Sequence, residues 1–185
     1  MHSLPLFLRM SGQPVILIGM GEAADAKRRL IERAGGVIVD EADPHARIAF
    51  VALEDREAAA QVSQRLKARG LLVNVVDQPA LCDFTTPAIV DRDPVLIAVA
   101  TGGASAGLAK AVRQRIERML PQRLGDLATA LSDARATLRQ RSPDCGPARS
   151  SASRSHAACL RSPALSASIA WTVSDFGVEL AMPRV

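Results

Sequence analysis

The run Val15-Ile16-Leu17-Ile18, ending in Gly19-Met20-Gly21, constrains the fold of this chain more than any other segment. Four consecutive apolar residues offer no polar face, so an extended segment of this kind has to be covered on both sides. The glycines mark a sharp turn. A helical pattern opens directly after it, with Ala23, Ala26, Leu30 and Ala34 on one face and Gly35 placed to end it. A doubly covered strand that feeds a helix belongs to a parallel sheet with helices on its faces.

The alternation continues along the chain. Val37-Ile38-Val39, residues 48–53 and residues 71–76 read as further strands. Asp55 is placed to cap a helix in which Ala58, Val62 and Leu66 recur and which Gly70 ends. Residues 94–100 read as the last strand, and Leu108, Val112, Ile116 and Met119 mark the next helical face. The expected fold class is α/β: a Rossmann-like parallel sheet with flanking helices and right-handed crossovers, followed by a helical C-terminal extension. Leu124, Leu127, Leu131, Ala134 and Leu138 have the spacing of a helix that packs on another helix, suited to a partner subunit. The expected organisation is a nucleotide-binding domain over 1–120, a helical extension over 121–141 and a tail over 142–185.

The tail differs in character. From Arg141 onward it holds nine of the fourteen serines, two of the three cysteines, the one Trp and no Lys. It has no usable periodicity. Two readings stand: a linker or disordered tail, and a frame-shifted reading of GC-rich DNA.

Composition removes several function classes. Aromatics are 3% of the 185 residues, Tyr is absent, and the net charge of +4 is spread among acids, as in Lys27-Arg28-Arg29 before Glu32. A stacking platform or basic arm for nucleic acid is therefore not expected. A mild positive excess suits an anionic small molecule equally well. No run approaches the roughly 18 apolar residues that span a bilayer, and the first nine residues lack the basic region and apolar core of a signal peptide. Cys82, Cys145 and Cys159 are odd in number and lack metal-ligand spacing. The expectation is a reduced, cytoplasmic protein without a protein-held metal or membrane contact.

Gly19-Met20-Gly21-Glu22-Ala23-Ala24 stands where a dinucleotide fingerprint would. The first glycine permits the turn, the second lets backbone approach a pyrophosphate, and Ala24 replaces the third. Asp40 and Glu41 follow about 20 residues on, where a carboxylate binds ribose hydroxyls, and Glu41 is the preferred of the two. No Arg lies in that stretch, which favours NAD over NADP. The candidate cofactor-binding residues are Gly19, Gly21, Glu22, Ala23, Asp40, Glu41 and Asp43. A glycine turn can also serve geometry alone, and both acids can be solvated loop residues.

Asn74-Val75-Val76-Asp77 ends another strand. Ligands of open parallel sheets gather beyond the carboxyl ends of the strands, so Asp77 would lie near the nicotinamide. From position alone a helix or turn cap is the simpler reading.

At this point the chain resembles a known family, the N-terminal module of siroheme synthases, which joins precorrin-2 dehydrogenase and sirohydrochlorin ferrochelatase activities. The resemblance runs through Leu4-Pro5-Leu6-Phe7, Gly19-x-Gly21 and Asn74-Val75-Val76-Asp77. It continues through Phe84-x-x-Pro87-Ala88-Ile89-Val90-Asp91-Arg92, Pro94, Thr101-Gly102-Gly103-Ala104-Ser105, Leu120-Pro121 and Leu124-Gly125. It implies oxidation of precorrin-2 to sirohydrochlorin with NAD, with Asp77 as the acid/base residue. It also implies Fe2+ as a second substrate, inserted into nitrogens that belong to the tetrapyrrole, so that no His/Cys cluster is needed. Asn74, Thr101, Gly102, Gly103 and Ser105 become the candidate substrate-binding residues, the turn at 101–105 attracting substrate carboxylates through its N–H groups. Ser105 matches a serine phosphorylated in some members, and equally suits an ordinary N-cap. Lys110 and Arg113 would add charge or simply face solvent. A homodimer is the family expectation.

The chain departs from the family between Asp43 and Ile48, where it is shorter by a strand and its approach. It departs again after the long helix, where a basic, aromatic-containing segment is expected, and in lacking a methyltransferase half. Two other readings stay open: a non-catalytic NAD-binding redox sensor, which needs neither Asp77 nor the 101–105 turn, and a non-functional product with a damaged C-terminus.

Overall fold

Alternation along the strands sorts the core onto two faces of one sheet. The computed structural model describes the backbone of residues 3–141 and side chains of residues 3–136; the tail read over 142–185, with Cys145 and Cys159, and the side chain of Leu138 lie outside what is described. Strands β1 (Pro14–Gly19), β2 (Val37–Val39), β3 (Ile48–Ala52) and β4 (Leu72–Val75) form a parallel sheet in the order β2-β1-β3-β4. Val15 and Phe50 pack with Ile31 of helix α1 (Glu22–Arg33) on one face. Ile16, Ala49, Val51, Val73 and Val75 pack with Ala59 and Leu66 of helix α2 (Arg56–Ala68) on the other. Burying each Val, Ile or Leu is worth about 1.5–3 kcal/mol, which explains why the continuous apolar runs became the inner strands. The parallel α/β sheet with flanking helices is as expected.

The helices turn slightly differently from the expected faces. In α1 the buried residues are Ala24 and Ile31, while Ala23, Ala26 and Ala34 are exposed. In α2 they are Ala59, Ser63 and Leu66, with Ala58 and Val62 only partly covered. Small alanines lose little by facing water, so larger neighbours set the helix rotation. Asp55 caps α2 as expected, its carboxylate accepting from the backbone N–H of Glu57 at 2.9 Å.

The connection from β2 to β3 passes β1 within residues 40–47, although a parallel crossover ordinarily takes a dozen or more residues. It is held from α2. Arg65 donates to Oε1 of Glu41 at 2.7 and 2.9 Å, and Arg69 donates to the carbonyls of Glu41 and Asp43 at 2.6 and 3.2 Å. Asp43 in turn accepts the N–H groups of His45 and Ala46.

The outer edge of β4 is closed by side chains instead of a fifth strand. The N–H of Val73 donates to Asp83 and that of Val75 to the Cys82 thiol.

Residues 94–100 do not extend this sheet. Strands β5 (Ala88–Arg92) and β6 (Val95–Val99) form a separate antiparallel hairpin, Arg92 pairing with Val95 across Asp93-Pro94. The apolar residues of β6 are half-covered and exposed in alternation, the pattern of a strand with one open face. A two-residue connection leaves no room for a crossover helix, so the pair has to be antiparallel. By their contacts the described residues form two units: residues 3–87 with Gly102–Ser105 form one, and Ala88–Thr101 with residues 106–141 form the other.

In the second unit helix α3 (Ala106–Met119) buries Ala109, while Leu108, Val112 and Met119 of the expected face stay exposed. Helix α4 (Leu124–Arg141) buries Leu127 and leaves Leu131 exposed. A Cβ at Gly125 would lie 2.0 Å from the Asp93 carbonyl oxygen, so this close approach admits glycine only.

Candidate functional site

Three segments of the first unit meet the requirements of a ligand site: the turn after β1, the end of β2, and the loop after β4. In the turn, Gly19 has φ 123 and an added Cβ would lie 2.0 Å from the carbonyl oxygen of Ala52, so strand packing alone demands glycine there. Gly21 differs. It has φ 83 and nothing within 4 Å of where a Cβ would stand, and it serves as the N-cap of α1 without a side-chain cap. Glu22 and Ala23 follow, exposed, at the helix start, and Ala24 is buried as the close-packing residue. Open space above Gly21, with uncapped N–H groups at a helix N-terminus, fits a dinucleotide pyrophosphate.

At the end of β2 the two acids separate. Glu41 accepts two bonds from Arg65 of α2 on its Oε1, an engagement with another side chain that Asp40 lacks. Asp40 is exposed; its Oδ1 accepts the N–H of Ala42 at 2.9 Å, and its other oxygen is bonded to no described residue. Asp43 is occupied as the cap of the following turn. Sequence proximity also concealed two arginines, since Arg65 and Arg69 reach this segment from α2. A hollow of about 550 Å³, lined by Ala42, Pro44, Ala46, Arg47, Arg69 and Leu71, opens beneath the connection, next to the amino ends of β3 and β4 rather than at the glycine turn.

After β4 the backbone turns at Asp77, a non-glycine residue at φ 56. Aspartate tolerates this left-handed region better than most residues, and such positions concentrate at functional sites. Its side chain is exposed, with no hydrogen bond to any described residue. The reading of Asp77 as a helix or turn cap therefore finds no bond to support it.

Asn74 faces away from the α2 side, opposite Phe50 in the β3–β4 register, and is 5% exposed. Its amide nitrogen donates to the Phe84 carbonyl at 2.9 Å, while Oδ1 is buried without a partner. Its visible task is to hold the loop; a substrate contact would have only Oδ1 to use.

The sequence reading missed Lys27. It lies on the buried stripe of α1, between Ala24 and Ile31, which was the available signal. Its Nζ donates to Oγ1 of Thr86 at 2.8 Å and stands 5.5 Å from the Phe50 ring centre. Burial holds its pKa below the usual lysine value, against the smaller opposing pull of Cys82 and Asp77.

Gly102 (φ 62) and Gly103 (φ 85) form the turn that opens α3, with Thr101 half-covered and Ser105 exposed immediately before the helix. Gly102–Ser105 cluster with the first unit, as Asp77 does. Among the described residues no group of three or more His, Cys, Asp or Glu could hold a metal, and no helix is long and apolar enough to cross a membrane.

A family of NAD(P)-binding domains matches residues 37–88. The siroheme synthase of Methylococcus capsulatus is 39% identical over 171 residues, which cover 78% of this chain and 36% of that protein. That of Methylobacillus flagellatus is 34% identical over 168 residues, 76% of this chain and 36% of the relative. These alignments are longer than the part of the chain they cover, so the relatives carry residues absent here. The chain spans about a third of the length of the curated relatives it matches. Among solved structures, the precorrin-2 dehydrogenase SirC has the same fold at 17% identity, with a TM-score of 0.61 over 94% of this chain and 100% of that one.

Proposed function

This chain is a homologue of siroheme synthases over a region that makes up 36% of their length, and from that kinship and the site we propose that it oxidises precorrin-2 to sirohydrochlorin with NAD+. The observation that carries the reading is Asp77, an exposed carboxylate held at positive φ directly beyond β4. A bound NAD+ supplies the hydride acceptor. Gly19, Gly21 and the first N–H groups of α1 would hold its pyrophosphate, and Asp40 its ribose hydroxyls. Asp40 rather than Glu41 takes this part because Glu41 is paired with Arg65. Its carboxylate would repel a 2′-phosphate, which favours NAD+ over NADP+.

Oxidation removes a hydride and a proton from precorrin-2. Asp77 accepts the proton, and its exposure lets the proton pass on to water. Sirohydrochlorin then offers pyrrole nitrogens from which the same carboxylate takes protons as Fe2+ enters; this second activity is part of the proposal. The N–H groups around Thr101, Gly102, Gly103 and Ser105 are assigned to peripheral carboxylates of the tetrapyrrole. A non-catalytic NAD sensor would have no use for Asp77.

We also propose a cytoplasmic homodimer in which a second copy covers the exposed Leu108, Val112 and Met119 of α3. Anaerobic incubation of precorrin-2 with NAD+ and the protein tests the activity: sirohydrochlorin absorbance should appear together with NADH. Sedimentation tests the dimer, and a monomer at micromolar concentration would refute it.

A further inference from the structure

Lys27 is a cation on a helical face that is otherwise apolar. Its ammonium has three donors, of which the Thr86 hydroxyl takes one at 2.8 Å. Its other close neighbour is the face of Phe50, which packs edge-on against Phe84 with ring centres 5.4 Å apart. Among the described residues no carboxylate lies within 4 Å of Nζ. Lys67 shows the contrast: it serves structure in a 2.7 Å ion pair with Asp83. A half-buried ammonium without a carboxylate in contact, and with Asp77 acting on it only from a longer distance, costs folding free energy, and a bound anion would recover part of that cost.

We propose that Lys27 receives an anionic group of the ligand beside Thr86 and Phe50, and that this group is a peripheral carboxylate of the tetrapyrrole. The proposal rests on the precorrin-2 reading above. A carboxylate is favoured over a cofactor phosphate by where the ammonium is held. The pyrophosphate belongs at Gly21, whereas Lys27 lies more than a helical turn further on and is tied to Thr86, in the loop that follows Asp77. Thr86 orients the ammonium and Phe50 keeps water from one side of it.

The test uses the full chain with Lys27→Met, Lys27→Gln and Lys27→Arg. Binding of sirohydrochlorin is followed by its absorbance and binding of NAD+ by calorimetry. Lys27→Met and Lys27→Gln should lose about tenfold or more in tetrapyrrole affinity, with a shallower salt dependence, while NAD+ affinity holds. Lys27→Arg should recover most of the loss. Lys27→Met should melt no lower than wild type, since it removes a desolvated charge; Lys27→Gln keeps a donor for Thr86 should the methionine misfold. Unchanged tetrapyrrole affinity in the neutral variants overturns the proposal. So does a loss confined to NAD+, which would assign the cation to a cofactor phosphate. If wild type itself binds no sirohydrochlorin, the precorrin-2 reading fails, and this proposal with it.

Discussion

The carboxylate of Asp83 accepts a hydrogen bond from the backbone N–H of Val73 at 3.0 Å, in the place where a fifth strand would otherwise pair. Cys82 does the same for Val75 at 3.2 Å. Two consecutive side chains thus satisfy the outer edge of the sheet beside the loop that carries Asp77, and they keep that edge from templating another chain.

Asp83 makes this edge sensitive to acid. Desolvation works to raise its pKa, but the bond from Lys67, the Val73 N–H and the Lys67 charge outweigh it and hold the group below the usual carboxylate value. A depressed folded-state pKa contributes stability that is present above the unfolded value, about 3.9, and is lost as pH falls through the lower folded value. Wild type should lose stability below about pH 4 more steeply than Asp83→Asn. At neutral pH Asp83→Ala should cost about 1–3 kcal/mol by denaturant melting, because it leaves the Val73 N–H without its partner.

Gly19 and Gly21 should separate stability from binding. Gly19→Ala drives a methyl into the Ala52 carbonyl and should cost at least about 2 kcal/mol. Gly21→Ala meets no protein atom, but its backbone (φ 83, ψ −170) lies in a region that glycine alone adopts readily, so it should cost about 1–3 kcal/mol through the backbone while sharply weakening NAD+ binding. Parallel melting and calorimetry with NAD+ resolve the two effects.

The acids after β2 should divide in the same way. Asp40→Ala should weaken NAD+ about tenfold with little change in melting, as expected for a lost charged hydrogen bond to ligand. Glu41→Ala should leave NAD+ affinity nearly unchanged. Its effect on stability should also be small, about 0.2–1 kcal/mol, because its Arg65 partner is half-exposed.

Much of this was legible in the sequence. The four parallel strands are runs of β-branched and aliphatic residues with charged or glycine boundaries, so burial on both faces left little choice of fold. The glycine turn and the position of Asp77 followed from the same reasoning. The hairpin at 88–99 was not legible, because an apolar run of that length reads equally as an inner strand or as one with an open face. The ion pair of Glu41 was not legible because its partner stands 24 positions away on α2. Lys27 was hidden among basic neighbours, and only the rotation of α1, set by Ile31 and Ala24, singles it out. The positive φ of Asp77 is a consequence of how the chain leaves β4, which no local pattern encodes.

The most direct test of the central claim is anaerobic turnover of precorrin-2 with NAD+ by wild type and by Asp77→Asn, which keeps a side chain tolerant of the left-handed backbone. Wild type should form sirohydrochlorin and NADH in equal amounts, and the variant should lose about a hundredfold or more in kcat while binding NAD+ as tightly. A wild type that binds NAD+ and leaves precorrin-2 unoxidised would contradict the assigned activity. A variant as fast as wild type would contradict the part given to Asp77.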